Sequence, residues 1–587
     1  MEAYEFSESR TADLHVLKHL IPYIKRFKWL VVLSLFTSLT ATFVTAIQPK
    51  LMKTAIDVYI LNNDFPGLLR LGYLLIGLLV LSFSFNFLRT YTTYLLAQNT
   101  ILGLRSDIYQ QLLLLSDAYL SKTPLGVLIT RTANDTENLS ELMSAGAIEL
   151  INDFILLSIS VIILFTINWQ LTIIALFFSP FVVVTIFYFS RILREAYNKA
   201  RNNLTWLNIF LQENLSGISL IKLYSRKTLS SDDFKHISNE YKTSVLSALS
   251  KDILFNQIIN FSSFLSRLLV IFVGGWMILN DKISLGSLPA FLMYVEYFYN
   301  PLRNLGERFN IIQDAAVSMT KINTVLNQKE IIPEPLTPNN QQIIGNIEFD
   351  HVGFGYVEQE VLHKISLSIK QGQRIAIVGP TGSGKTTIMN LILRLYDVKD
   401  GSIRLDGVDI RDYSLSYLRS HIAIVLQDVF IFKGTVLENI TLGRTDISED
   451  EIINAAKYLN AHDFILQLPR GYRTEINTEG SNLSLGQKQL ISFIRALVIK
   501  PKILLLDEAT SSVDTQTERL IQEGIEKLMQ GRTSIAIAHR LSTIIHSDRI
   551  IVLKDGNIIE EGSHDQLIDL HGFYWKLYTT QFSKELT

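Results

Sequence analysis

The sequence predicts two unlike parts in tandem: an α-helical membrane domain of six spans, then an α/β domain with a largely parallel central sheet. Three observations predict it. The 587 residues are 48% hydrophobic and only 19% charged, whereas a soluble chain carries about a quarter charged residues. Six apolar stretches, grouped as three hairpins, occupy residues 29–302. Beyond a proline-rich break, short β-branched runs alternate with helical patterns, the mark of an α/β fold.

A bilayer core needs roughly 20 consecutive apolar residues. Stretches near 29–47 and 71–88 carry no charged side chain. A second pair lies near 148–167 and 171–190, joined by Asn168-Trp169-Gln170, and a third near 253–279 and 283–302, joined through Asn280-Asp281-Lys282. Lys18, Lys25, Arg26 and Lys28 precede the first span, and the long connections 89–147 and 191–252 are rich in Lys and Arg, while the short ones are poor in them. Cationic loops stay inside, so the N-terminus, the long connections and the second domain are expected in the cytoplasm. Trp29, Trp169 and Trp276 fall near span ends, where an indole sits at the interface. Leu102, Ile108, Leu112 and Leu115 keep helical spacing. The long connections are therefore expected to continue the spans as helices, reaching nearly 40 Å beyond the bilayer at ~1.5 Å per residue.

Composition excludes other classes. A net charge of −2 rules out a nucleic-acid partner held by bulk positive charge. The absence of cysteine removes disulfides, thiolate metal sites and thiol catalysis. Glu2, Glu5, Glu8 and Asp13 precede any apolar run, which fits neither a secretory signal nor a transit peptide.

Arg267 in the fifth stretch and Glu296 in the sixth are charges inside apolar spans, each roughly 20 Å from the connecting loop. Charges at that depth face each other or a cavity, so this pair is either self-neutralising or part of a substrate cavity. Tyr294, Tyr297, Phe298 and Tyr299 flank Glu296; they would suit an amphipathic aromatic or cationic substrate, or simply pack.

Pro333, Pro335 and Pro338 mark a linker over 327–346, between a membrane domain (1–326) and a second domain (347–587). There, Ile375–Val378, Ile422–Val425, Ile503–Leu506, Ser534–Ala538 and Ile550–Leu553 read as strands. Gly379-Pro380-Thr381-Gly382-Ser383-Gly384-Lys385-Thr386 follows the first of them at once, the P-loop spacing. Its glycines let backbone N–H groups and a helix N-terminus, with Thr387 in the first turn, surround the phosphates of ATP. Lys385 supplies a charge on the β- and γ-phosphates, and the Thr386 hydroxyl ligates Mg²⁺. Ile503–Leu506 ends in Asp507-Glu508. Asp507 is expected in the Mg²⁺ shell, and Glu508 is expected to orient or deprotonate the attacking water.

With these elements in place, the chain resembles a half-transporter of the ATP-binding cassette (ABC) exporters over essentially its whole length. The resemblance implies that Tyr356, in Phe354-Gly355-Tyr356, stacks on adenine and that Gln427 contacts Mg²⁺ and water. It also identifies Leu483-Ser484-Leu485-Gly486-Gln487 with the family's signature motif, whose Ser484, Gly486 and Gln487 cap ATP bound to the opposite subunit. Ser511-Ser512-Val513-Asp514 matches the loop that communicates across the dimer, and His539 the switch histidine at the γ-phosphate. Lys122-Thr123-Pro124-Leu125-Gly126 and Glu213-Asn214-Leu215-Ser216-Gly217-Ile218 resemble the two coupling regions. The implied activity is ATP hydrolysis coupled to export of a drug, lipid or peptide across a bacterial inner membrane.

Two positions depart from the family pattern: Leu485 stands where the signature has Gly, and Glu479 where a basic residue is usual. A bulky Leu removes the close backbone approach that Gly allows. With Glu508, Gln427 and His539 intact, this resembles one arm of the asymmetric heterodimeric multidrug-type exporters. A heterodimer is therefore favoured over a homodimeric lipid or drug flippase. An ATP-gated regulator or channel subunit is the reading from another class.

Overall fold

The computed structural model describes residues 14–356, 359–507, 515–537 and 544–581. Its contacts divide the chain into two compact units, residues 1–113 with 125–327 and residues 114–124 with 328–587. In chain order the principal helices up to the second unit's sheet are α1 (Lys28–Thr54), α2 (Phe65–Leu114), α3 (Asp117–Lys122), α4 (Leu125–Glu141), α5 (Ile148–Ile167), α6 (Trp169–Ala175), α7 (Ser179–Ser216), α8 (Ile218–Leu223), α9 (Lys227–Leu279) and α10 (Ser287–Leu326).

Among the described residues, five helical runs are long and apolar enough to cross a membrane: Lys28–Ile60, Phe65–Leu114, Leu125–Ile167, Trp169–Ser216 and Lys227–Leu279. α10 holds the sixth predicted stretch but is not one of the five, because Glu296, Arg303, Glu307 and Arg308 dilute its apolar character. The expected helical extensions are present. α2 and α9 have 50 and 53 residues, some ~75–80 Å of helix against a ~30 Å hydrocarbon layer.

α10 packs on α1, α4, α5 and α9 and buries more residues than any other helix of this unit. Its aromatic run is mostly core. Tyr294, Phe298 and Tyr299 are buried, and the Tyr294 hydroxyl donates to Ala46 O at 2.8 Å while the Tyr299 and Ser266 hydroxyls lie 2.7 Å apart. Of the two readings left open for the four aromatics around Glu296, ordinary helix packing holds for three. Only Tyr297 remains half-buried beside Glu296.

Proline breaks one span. Pro180, in the first turn of α7, has no N–H, so the helix stops at α6 and restarts. The Leu176 carbonyl at the break accepts instead from Ser179 N at 2.9 Å and Ser179 Oγ at 2.7 Å. At the start of α10, Asp57 accepts from Gly286 N at 2.7 Å and from Ser284 Oγ, tying the end of the first run to the last helix.

The second unit is built on a six-stranded sheet in the order Asn557–Gly562, Arg549–Lys554, Arg374–Val378, Thr533–Ile537, Ile503–Asp507 and Ile422–Val425. The last five strands run parallel and the first, at the edge, is antiparallel. Central strands such as Ile375–Val378 and Ile503–Leu506 are buried throughout, as unbroken apolar runs in a covered sheet should be. A four-stranded sheet joins Leu362–Ile369, Ile347–Phe354, Asp400–Leu405 and Val408–Asp409.

The membership of 114–124 in this unit was not anticipated from the sequence. Ser116 N donates to Glu330 O at 2.8 Å, and Leu115 bridges Ile331. Burial pushes the Tyr396 hydroxyl pKa up, while a hydrogen bond with Ser121 of α3 opposes the shift.

Arg394 fastens the start of this unit. It is 1% exposed; its Nε donates to Asp397 Oδ1 at 2.8 Å and its Nη2 to Pro333 O at 2.7 Å. Arg394→Ala strands both acceptors, with Asp397 partly solvated. The expected loss is about 2–4 kcal/mol of unfolding free energy, read by denaturant titration as a lower midpoint at unchanged slope.

Candidate functional site

The site grows from one strand-to-helix turn. Arg374–Val378 delivers the chain to the sheet's C-terminal edge, and Lys385–Ile392 (α11) begins seven residues later with Gly384 as its left-handed N-cap. Gly379 lies against the neighbouring strand so closely that a Cβ there would stand 2.0 Å from Leu553 O. Gly382 has open space around it but φ +82°, a conformation L side chains avoid.

Lys385 is buried, and its Nζ donates to Gly379 O at 2.8 Å and Pro380 O at 2.9 Å. Burial lowers its pKa, and the Asp507 carboxylate opposes that shift. Lys385 opens the helix that follows Arg374–Val378, and Asp507 ends Ile503–Asp507. Those strands flank Thr533–Ile537, which pairs with both. The Ser383 hydroxyl is buried and without a hydrogen-bond partner, an orphan donor aligned with the loop that awaits an acceptor. Thr381 and Thr386 are exposed and Thr387 is buried. Gln427 is exposed two residues beyond Ile422–Val425, the strand beside Ile503–Asp507.

Tyr356 joins this cluster. Its hydroxyl lies 3.2 Å from Thr387 Oγ1 and accepts from Asn390 Nδ2 at 3.3 Å, so the ring is anchored to α11. Phe354 and Tyr396 pack edge-on against it at 5.2 and 5.1 Å. The sequence reading missed Tyr396, which links this aromatic wall to α3 through Ser121. An isolated Tyr in a loop carries no signal without its neighbours.

The signature segment forms a separate structure. Ser484 caps the helix Leu485–Val498 (α12) in a reciprocal box: its Oγ accepts from Gln487 N at 3.3 Å and its N–H donates to Gln487 Oε1 at 3.0 Å. Gly486 is buried. Leu485 stands at the first helical position, and its side chain is 40% exposed. It is not among the residues with positive φ, so Gly's conformational freedom is not needed there; what Leu adds is bulk. Glu479 has φ +56°, and Lys488 Nζ donates to its carbonyl at 2.8 Å. Glu508, His539 and Ser511–Asp514 lie outside the described residues.

In the first unit, Arg267 Nη1 and Glu296 Oε2 lie 3.9 Å apart, with side chains 37% and 55% exposed. They do face each other, at ion-pair rather than hydrogen-bond distance. The sequence reading passed over Glu149 and Asp153, two carboxylates inside the predicted 148–167 span.

Comparison with known proteins bears on this arrangement. A family profile described as the ABC transporter transmembrane region matches residues 31–302, and one described as ABC transporter matches 362–511. An uncharacterized ABC transporter ATP-binding protein of Bacillus subtilis (strain 168), YknV, is 38% identical over 572 residues, covering 96% of this chain and 94% of that protein. The chain belongs to the ABC transporter family. An ATP-dependent lipid A-core flippase of Syntrophus aciditrophicus (strain SB) is 34% identical over 571 residues, covering 97% of this chain and 94% of that protein. The solved structure of a bacterial Atm1-family ABC exporter with ATP bound superposes with TM-score 0.76 at 27% identity, covering 97% of this chain and 99% of that one. This ABC chain is therefore an integral membrane protein with an exporter fold, and an ATPase coupled to transport. Exporters of the family act as dimers.

Proposed function

We propose that this ABC chain is one half of an exporter that uses ATP to move a hydrophobic or amphipathic substrate, a drug, lipid or peptide, out of a bacterial cell. The observation that carries the reading is the P-loop itself: Lys385 buried at the mouth of a glycine turn, with Asp507 near it and the Ser383 hydroxyl unpartnered. Gly379, Pro380, Thr381, Gly382, Ser383, Gly384 and Thr387 hold the phosphates, and Tyr356 holds the adenine. Thr386, Gln427 and Asp507 are the oxygen ligands suited to Mg²⁺, which neutralises charge on the β- and γ-phosphates when bound. Glu508 and His539 act on the water and the γ-phosphate.

The remaining assignments rest on sequence. Residues 1–326 are the transmembrane part with six spans, 327–346 the linker and 347–587 the nucleotide-binding domain, with the nucleotide side and N-terminus cytoplasmic. The distribution of Lys and Arg supports that orientation. The names of the relatives support the substrate class: one is a lipid A-core flippase, and a Staphylococcus aureus protein 34% identical over 576 residues is named for multidrug export. Arg267 and Glu296 line the substrate path, where their shared exposure leaves them accessible.

The dimer is the second question. α8 buries none of its residues, and Leu220, Leu223 and Tyr224 are 61–76% exposed. A short helix so presented at the tip of a hairpin calls for a second chain. We assign that chain a different sequence, one with an intact signature, because Leu485 adds bulk where ATP is capped. One observation favours a homodimer instead: Leu485 fits its helix without strain. The chain purified alone separates them. The heterodimer reading predicts ATP turnover about tenfold or more below that of the pair, restored in the lone chain by Leu485→Gly. Full turnover by the lone chain, unchanged by Leu485→Gly, establishes the homodimer.

A further inference from the structure

Arg495 lies near the end of α12, three turns and ~16 Å along the helix from Ser484. Its Nε donates to Asn439 O at 2.9 Å and its Nη1 to Phe430 O at 3.3 Å, while Nη2 is buried without a hydrogen-bond partner. Burial pushes its pKa down, and no described carboxylate opposes the shift. A guanidinium placed this way is costly to bury. Its charge serves two backbone carbonyls, and both belong to one segment of the chain.

That segment starts at Gln427. The chain leaves Ile422–Val425, passes Gln427 and enters the helix Val436–Thr441. Asn439 of that helix, 1% exposed, grips the far part of the loop: its Oδ1 accepts from Phe432 N at 2.8 Å, and its Nδ2 donates to Phe432 O at 2.9 Å and Thr435 O at 3.1 Å. Arg495 holds the near part, at Phe430 O. Apolar packing joins the same pieces, since Ile431, Val436 and Ile440 share a core with Leu490, Ile491 and Ile494. Such contacts have no direction and let two elements slide. Two charge-assisted bonds from one planar fork fix an angle.

We propose that Arg495 is a positioning residue that locks the Gln427 loop to α12, so that the placement of Gln427 at this chain's own nucleotide site also sets the aim of Ser484–Gln487 at the nucleotide of the opposite subunit. The reciprocal cap between Ser484 and Gln487 keeps the first turn of α12 formed. A displacement at Arg495 therefore reaches the signature as a tilt of the whole helix and not as fraying of its end. The proposal rests on the reading of Gln427 and of the signature given above, and not on substrate, direction or dimer type.

The test uses the purified full-length transporter, with its partner chain where one is needed, and compares ATP turnover with ATP binding. Arg495→Gln should leave the dissociation constant of ATP, measured without Mg²⁺, within about twofold of the parent, yet lower turnover per ATP-binding site about tenfold, the scale of one lost charge-assisted hydrogen bond. Arg495→Lys keeps the charge but reaches one carbonyl at a time; it should fall between the two, and it serves if Arg495→Gln does not fold. Gln427→Ala should lower turnover as well, and adding Arg495→Gln to it should cost little more, because both act through one loop. Parent turnover per site with fewer sites means a purely structural arginine and overturns the proposal. A loss that multiplies in full with that of Gln427→Ala overturns it too, as does weakened ATP binding in Arg495→Gln, which would put the arginine in the nucleotide pocket. Parent turnover in Gln427→Ala overturns the reading of Gln427 itself, and the proposal with it, a failure distinct from the others.

Discussion

Lys385→Ala is expected to lower ATP hydrolysis by about a hundred- to a thousandfold, the scale of removing one preorganised charge from a phosphoryl-transfer site. Its ammonium is the only cation the loop presents, and the loop's carbonyls of Gly379 and Pro380 already hold it at 2.8 and 2.9 Å. The side chain is therefore fixed before ATP arrives, and phosphate oxygens replace carbonyls around a charge that does not move far. Phosphate release reads the effect. Thermal unfolding of the variant should stay within a few degrees of the parent, because the lost contacts are two bonds within one loop. A variant that hydrolyses ATP at a tenth of the parent rate or more would mean that Lys385 is not the phosphate contact.

Gly379→Ala should be worse for the fold than for any single contact. The added methyl would fall 2.0 Å from Leu553 O, on the strand that pairs Val552 with Val378. Neither side can yield without opening the sheet beside the P-loop, so the expected cost is about 3–4 kcal/mol of stability together with loss of ATP binding. Gly382→Ala is the comparison: nothing lies within 4 Å of its Cβ position, and only φ +82° opposes it. Its cost should be about 1–2 kcal/mol. Equal denaturation midpoints for the two variants would refute the account of how the loop is packed.

Much of the nucleotide site could be read from the sequence because its residues are contiguous. The P-loop is one run, Asp507 ends an unmistakable apolar strand, and Ser484 with Gln487 spell a capping box. Contacts between distant segments were harder. Tyr396 joins Tyr356 to Ser121 of α3 across more than two hundred residues, and no local pattern marks it. Arg394 reads as a surface cation until the fold closes Pro333 and Asp397 around it. In the membrane part, the hydrophobic runs located the helices, yet hydropathy averages hid what the helices pair. Glu149 and Asp153 vanished inside an apolar window, and the aromatic run around Glu296 gave no sign that three of its members face inward. Leu485 shows what a family pattern leaves open: the backbone there is ordinary helix, so the departure from Gly acts through side-chain bulk and not through backbone conformation.

The central claim is that ATP hydrolysis at Lys385 drives an amphipathic substrate through the membrane unit. It is tested most directly in proteoliposomes holding the purified transporter, with its partner chain where one is needed, by following a fluorescent cationic amphiphile or a labelled lipid between leaflets. ATP outside should drive net movement of at least one such probe, and Lys385→Ala should abolish it while leaving the vesicles sealed. Movement that proceeds equally without ATP, or in the Lys385→Ala protein, would contradict the account.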